Sequence, residues 1–367
     1  MRLYGRALFT ILLAVALPLS AQQVRIRGAA TQPAAQNVQS QASLPAVDQD
    51  PVRAPATLPP SEVGKPLQKQ GKGYILKTNV NEVVLNATVL NGRQEVPSLT
   101  ENDFTVFEDG VKQTIISFQH TDLPVSMGLV IDNSGSMYEK RPAVNQAALD
   151  LVEASNPQDQ AFVVNFSDEA YLDQDFTSSI AKLRQGLSHI TARGGTALYD
   201  AVVASADHLV EDGTRPKQVL VVITDGDDNA STLTLVQAIR RVQQLSGPEI
   251  YTIGLLYGHD LTREEKRHAR RALELLADET GGIAFFPKSL SQVNGIAEEV
   301  AHDIRDQYTI GYRSSKPMSI PGYRRVVVIA KAKGMGKLTV RTRPGYYPSS
   351  PLGRRQMAAG RSGHNDE

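Results

Sequence analysis

Val125-Ser126-Met127-Gly128-Leu129-Val130-Ile131 runs directly into Asp132-Asn133-Ser134-Gly135-Ser136-Met137. The first seven residues make a short apolar run of the kind a parallel strand covered on both faces requires. The residues after it are small and polar, as a loop demands. Asp132, Ser134 and Ser136 are spaced by two, and in a roughly extended loop positions i, i+2 and i+4 face one side. This places one carboxylate and two hydroxyls beyond the carboxyl end of a strand, where open α/β sheets bind their ligands.

Similar apolar runs recur at Ala161–Phe166, Val219–Ile223, Ile250–Leu255 and Ile283–Phe286, with Tyr171–Phe176 as an antiparallel edge candidate. Helical stripes alternate with them. Val144, Ala148, Leu151 and Val152 share one face; so do Ile180, Leu183, Leu187 and Ile190, and Leu198, Val202, Ser205 and Leu209. Thr262 with Glu265 predicts a capping box on a helix ended by Gly281-Gly282, and Leu290, Val293, Ala297, Val300 and Ile304 predict a last helix. The fold class expected is α/β, with a doubly wound, mostly parallel six-stranded sheet.

Two further stretches converge on the first. Gly194-Gly195-Thr196 puts a hydroxyl on a loop before a helix, and Val219–Ile223 ends in Thr224-Asp225-Gly226, a second carboxylate at a strand's carboxyl end. Asp132, Ser134, Ser136, Thr196 and Asp225 form an all-oxygen set, which suits a hard cation such as Mg²⁺. With few carboxylates around it the ion keeps room for an anionic group from outside, which completes its charge and coordination.

This pattern, Asp132-x-Ser134-x-Ser136 followed by Thr196 and Asp225, resembles the metal-ion-dependent adhesion site of von Willebrand factor A domains. The likeness spans about 123–305 and includes Gly194-Gly195-Thr196-Ala197-Leu198-Tyr199-Asp200. It implies that the five residues surround Mg²⁺ or Mn²⁺, with Ca²⁺ as a third candidate, some of them through water. It also implies that an Asp or Glu carboxylate of a protein partner fills the open position. Asn133, Gly135, Gly195, Gly226 and Asp227 are expected next to the bound ligand. The flanks, Leu99-Thr100, Asp103-Phe104-x-Val106-x-Glu108-Asp109-Gly110 and Gly345-Tyr346-Tyr347, resemble secreted bacterial proteins carrying such a domain.

The flanks read as β structure. Val83, Leu85, Ala87 and Val89 alternate before the turn signal Asn91-Gly92, and Asp109-Gly110 joins Phe104–Glu108 to a run from Val111 to Phe118 as a hairpin. After Asp306, Tyr308, Ile310 and Tyr312 alternate, then Val326, Val328 and Ala330, then Leu338, Val340 and Thr342 beyond Gly334 and Gly336. Residues 73–122 and 306–348 are expected to form one small β-sandwich into which the 123–305 domain is inserted.

Arg2 and Arg6 precede an apolar run to Leu17 and small residues at Ser20-Ala21, which reads as a signal peptide over 1–21. Residues 22–72 lack apolar periodicity and read as a disordered Gln/Ala/Pro-rich linker, and 349–367 as a loose polar tail. Export to the periplasm or cell surface follows, with no membrane span after cleavage. Lys plus Arg and Asp plus Glu both number 39 in 367 residues, and the balance gives no reason to expect a nucleic-acid partner. There is no cysteine, so disulfides and thiolate metal sites are excluded.

Competing chemistry fits less well. The acidic run Thr224–Asn229 has Ala230 and Val236 where a calcium loop needs Gly and Glu. Asp227 and Asp228 read as solvated. Neither a Gly-x-Ser-x-Gly elbow nor a Walker phosphate loop surrounds Ser134 and Ser136. The expectation is a non-enzymatic, exported protein-binding module. An envelope scaffold using the same metal site is the alternative, and a metal-dependent hydrolase a weaker one.

Overall fold

The computed structural model describes residues 69–70, 73–74, 82–188, 192–245, 247–257 and 261–348. The expected signal peptide, nearly all of the expected linker, the tail and Ile190 lie outside the described residues. The chain divides after Leu76 into two units. In the first, β1 (Lys69–Gln70) and β2 (Gly73–Tyr74) pair antiparallel, so the expected linker ends in a small paired segment.

The second unit opens with β3 (Glu82–Asn91), whose Val83, Leu85, Ala87 and Val89 are all buried, as the alternation predicts. It turns at Gly92 into β4 (Gln94–Glu95). β5 (Phe104–Glu108) and β6 (Val111–Lys112) form the Asp-Gly hairpin, and Asp109 and Gly110 have φ of 48° and 81°. A turn with two positive φ angles matches the twist of the flanking strands, and Asp-Gly tolerates it. The run from Val111 to Phe118 does not stay in that hairpin. β7 (Thr114–Gln119) pairs instead with a strand far along the chain. The break falls at Gln113, a buried residue whose amide group is engaged by Val111 O and by the N–H and hydroxyl of Ser315.

The α/β segment follows. β8 (Val125–Asp132) is buried at all eight positions. After it come α1 (Arg141–Glu153), β9 (Gln160–Phe166), β10 (Ala170–Thr177), α2 (Ile180–Leu187), α3 (Leu198–Asp212), β11 (Lys217–Thr224), α4 (Leu235–Leu245), β12 (Glu249–Gly254), α5 (Arg263–Asp278), β13 (Ala284–Phe285) and α6 (Val293–Arg305). The strands lie in the order β10-β9-β8-β11-β12-β13, and only β10 is antiparallel to its neighbour. This is a mixed six-stranded sheet.

Helices cover both faces. On one side Met127, Leu129 and Ile131 pack with Val144 of α1, Leu183 of α2 and Val300 of α6. On the other, Val130, Phe162 and Leu220 pack with Val202 of α3, Val242 of α4 and Leu273 of α5. The Thr262–Glu265 capping box forms, and the helix it opens stops at Asp278, just before Gly281 at φ 98°. The sequence reading missed α4, whose buried residues are only Ala238 and Val242. Among the described residues no helix is long and apolar enough to cross a membrane.

Beyond α6 lie β14 (Tyr308–Arg313), β15 (Arg324–Ala330), β16 (Thr339–Arg341) and β17 (Gly345–Tyr346). β14 pairs antiparallel with β3 and β7, β16 with β3, and β15 with β5 and β17. Leu85, Val106, Tyr308, Ile310 and Val326 from these two sheets share one apolar cluster. Buried Glu108 accepts the hydroxyls of Tyr312, Ser314 and Tyr346 at 2.7, 2.7 and 2.9 Å. The carboxylate thus satisfies its lone pairs without water.

The end of α6 is tied down by buried polar contacts. Asp303 accepts the hydroxyls of Tyr251 at 2.6 Å and Thr88 at 3.1 Å, and pairs with Arg341. Lys217 Nζ donates to Ile304 O at 2.6 Å. These bonds join the helix to β3, β11, β12 and β16, and removing one partner would strand a buried polar group.

Gly128 sits mid-strand in β8, where a Cβ would lie 2.4 Å from the Phe162 ring and 2.5 Å from Leu220 Cδ2. Gly128→Ala should therefore destabilise the fold by about 1–3 kcal/mol through overpacking. Gly336→Ala, where a Cβ meets nothing within 4 Å, serves as the control in urea denaturation. Equal midpoints for the two variants would contradict the close packing.

Candidate metal site

The register pairs Ile131 of β8 with Ile223 of β11, so the next residues, Asp132 and Thr224, lie side by side at the carboxyl ends of adjacent parallel strands. Asp132 is completely buried. Its Oδ2 accepts the Thr224 hydroxyl at 2.6 Å and its Oδ1 the backbone N–H of Ser134 at 2.8 Å. Burial pushes its carboxyl up to about 6, the Thr224 and Ser134 bonds pull against that, and the Asp225 charge adds to it. Arg141, also fully buried, donates from Nη1 to the Asp132 backbone oxygen at 3.1 Å.

Ser134 and Ser136 approach each other differently from the expectation. The loop is not extended: Gly135–Met137 is a 3₁₀ turn that begins after Ser134, with Met137 N–H donating to Ser134 O at 3.1 Å. The turn still brings the two hydroxyl oxygens to 3.2 Å. Ser136 Oγ donates to Asp225 Oδ1 at 2.8 Å. Adjacent ligands of an octahedral Mg²⁺ at ~2.1 Å stand ~3 Å apart, so the serine pair fits that geometry. Thr196 lines the same cavity, of about 280 Å³, as Ser134, Ser136, Gly226 and Asp227. Buried Asp132 and Asp225 are each joined to one of these serines, Asp132 through the Ser134 N–H and Asp225 through the Ser136 hydroxyl. The donors brought together are all oxygens, and this set could hold a hard divalent ion.

The neighbouring residues hold these donors in place. Asn133 donates from its N–H to Phe166 O at 2.6 Å and accepts from Ala192 N and Arg193 N, which fastens the loop carrying Gly194 and Gly195. Gly195 N–H donates to Asp168 Oδ1 at 2.7 Å, and Thr196 N–H to Asn229 Oδ1 at 2.8 Å. Gly226 N–H donates to Thr224 Oγ1 at 3.2 Å. Gly135 starts the 3₁₀ turn and lines the cavity. Asp227 also lines it and pairs with His268 at 2.7 Å. Asp228 is not simply solvated: it accepts the Ser231 hydroxyl at 2.5 Å and Tyr199 N–H at 3.1 Å, bracing the start of α3. Thr224, Asp168, Asn229 and Lys140 escaped the sequence reading. Lys140 Nζ donates to Asp225 Oδ2 at 2.6 Å.

A second group, Glu95, His302 and Asp306, has ligand atoms within 4.8 Å of one another and could also hold a metal ion. It sits at the end of α6, near the first residues of β8 and β11, roughly 25 Å from Asp132 by the length of an eight-residue strand.

Residues 127–227 match the family model of the von Willebrand factor type A domain. The match falls within the α/β segment. No curated protein sequence matches the chain. Among solved structures it is similar to a von Willebrand factor type A protein from Catenulispora acidiphila, at 16% identity and TM-score 0.43 over 68% of this chain and 74% of that one. It is similar to the vWF domain of the type V pili tip protein Mfa5 from Porphyromonas gingivalis, at 16% identity and TM-score 0.40 over 50% and 97%. It is also similar to proximal thread matrix protein 1 of the mussel byssus, solved with a zinc-occupied MIDAS motif, at 20% identity and TM-score 0.41 over 55% and 50%.

The raised Asp132 carboxyl carries a sign that can be checked. Its folded value of about 6 exceeds the ordinary 3.8, so the folded state binds the proton more tightly than the unfolded chain. In EDTA the stabilisation is complete below 3.8 and is lost as the pH rises through about 6, by on the order of 3 kcal/mol. Asp132→Asn removes the titration. Melting curves of the wild type should fall relative to that variant across the window, and a constant difference would contradict the burial.

Proposed function

We propose that this protein is an exported, non-enzymatic protein-binding module. In this reading Asp132, Ser134, Ser136, Thr196 and Asp225 hold one Mg²⁺ or Mn²⁺, and an Asp or Glu carboxylate of a partner completes the coordination. The observation that carries it is the linked donor set: the Ser134 and Ser136 oxygens 3.2 Å apart, the Ser136 hydroxyl bonded to buried Asp225 and the Ser134 backbone N–H to buried Asp132, beside a cavity that Thr196 also lines. Two carboxylates neutralise a divalent ion only on paper. Lys140 cancels part of that charge, so an anion from outside gains from binding the ion. When bound, the ion supplies a Lewis-acidic position for that anion. The protein's own residues fix where the position is and which side of it faces the cavity.

The same reading takes residues 73–122 and 306–348 as one β-sandwich that receives the 123–305 domain as an insertion. The pairing of β3 with β14 and β16 supports it. Export rests on the signal-like start of the sequence. The module would then meet its partner outside the cytoplasm.

Asp132→Ala should lower Mn²⁺ affinity by about 100-fold or more while leaving the far-UV circular dichroism unchanged. Partner capture from an envelope fraction should appear in Mg²⁺ and vanish in EDTA. Equal capture in both, or equal Mn²⁺ affinity of wild type and variant, would sink the reading.

A further inference from the structure

We infer that Lys140 is a resident cation of the metal site, which loosens the site's grip on the divalent ion and leaves the bound ion more positive toward an anionic partner. The inference rests on the metal-site reading above. Its starting point is the way Asp225 is shared. Oδ1 accepts the Ser136 hydroxyl at 2.8 Å and Oδ2 accepts Lys140 Nζ at 2.6 Å. The Asp225 side chain is fully buried and that of Lys140 is 12% exposed, so water screens the pair little. With both oxygens engaged, Asp225 meets an ion through the Ser136 side unless Lys140 withdraws.

The lysine stands where local structure disfavours it. It is the cap residue just before α1, and the first turn of that helix contains no acidic residue. A helix N-terminus carries partial positive charge and repels a cation. Asp225, just beyond the end of β11, supplies the compensation, and the Tyr257 ring centroid lies 5.9 Å from the ammonium. The side chain is therefore aimed at the site by partners specific to it.

Charge then decides the consequence. Asp132 and Asp225 bring two negative charges, Asp227, Asp228 and Glu265 line the same cavity, and Lys140 sets one positive charge directly against Asp225, so a divalent ion in the site stays one charge more positive than it would be without the lysine. Removing the ammonium relieves its repulsion of the ion, an expected gain of about ten-fold in ion affinity. The same removal takes away the excess charge that draws a carboxylate. Lys140 thus sets affinity for the ion against affinity for the partner.

Calorimetric titration of Mn²⁺ into the full chain tests this, with wild type, Lys140→Met and Lys140→Arg compared. Lys140→Met is expected to bind Mn²⁺ about ten-fold more tightly, and Lys140→Arg, which keeps the charge, to stay near wild type. Lys140→Gln repeats the measurement where the methionine variant does not fold. Equal or weaker binding by the charge-removing variants, with wild type still binding, overturns the inference and leaves the metal site standing. No binding by any of the proteins overturns both.

Discussion

A fully buried carboxylate governs the architecture of this protein. Asp132 ends the central strand of the six-stranded sheet, fully buried, and the chain must compensate for its desolvation locally. Two hydrogen bonds do so, from the Thr224 hydroxyl on the adjacent parallel strand and from the Ser134 backbone within its own loop. The first requires β8 and β11 to end level with each other. The second requires the loop to fold back at once, which it does through the 3₁₀ turn of Gly135–Met137. An isolated buried carboxylate is costly, and the rise of its proton affinity expresses that cost. A bound divalent ion would relieve it, so the strain and the proposed role have one source.

The rest of the site follows from strand ends meeting at one edge. β11 delivers Thr224 and Asp225, the loop before α3 delivers Thr196, and Asn133, Asp168 and Asn229 fasten those loops to one another. At the opposite end of the sheet the fold makes another choice. Asp303, Lys217 and Arg341 pin the last helix to strands of both the α/β segment and the flanking sheets. A sliding displacement of that helix would break several buried charge-assisted bonds.

Much of this was legible from the chain. The parallel strands showed as unbroken apolar runs because both of their faces are covered. The flanking strands showed as alternation, and Thr262 with Glu265 announced its helix. What escaped did so mostly for physical reasons, but α4 was legible: Leu235, Ala238, Ile239, Val242 and Leu245 repeat at helical spacing and pack on the sheet. The reciprocal bonds between Thr234 and Gln237 at its start were a second signal. The run from Val111 to Phe118 read as one strand because nothing in its pattern marks Gln113 as the point where the chain changes sheets. Of the donors named from spacing, Ser134, Ser136 and Thr196 line one cavity, and Asp132 and Asp225 are hydrogen-bonded to the two serines. The 3₁₀ turn beneath two of them was not expected, since a spacing of two fits an extended loop equally well. Lys140, Asp168 and Asn229 act across tertiary contacts that no local pattern encodes. Thr224 was within reach, since aligning β11 with β8 places its hydroxyl beside Asp132.

The most direct test is anomalous diffraction from crystals grown with Mn²⁺. The account predicts one strong peak within coordination distance of Ser134 Oγ and Ser136 Oγ, ~2.2 Å, beneath the Thr196 hydroxyl. Full Mn²⁺ occupancy at Glu95, His302 and Asp306 with nothing at the serine pair, or no peak at either place, would contradict it.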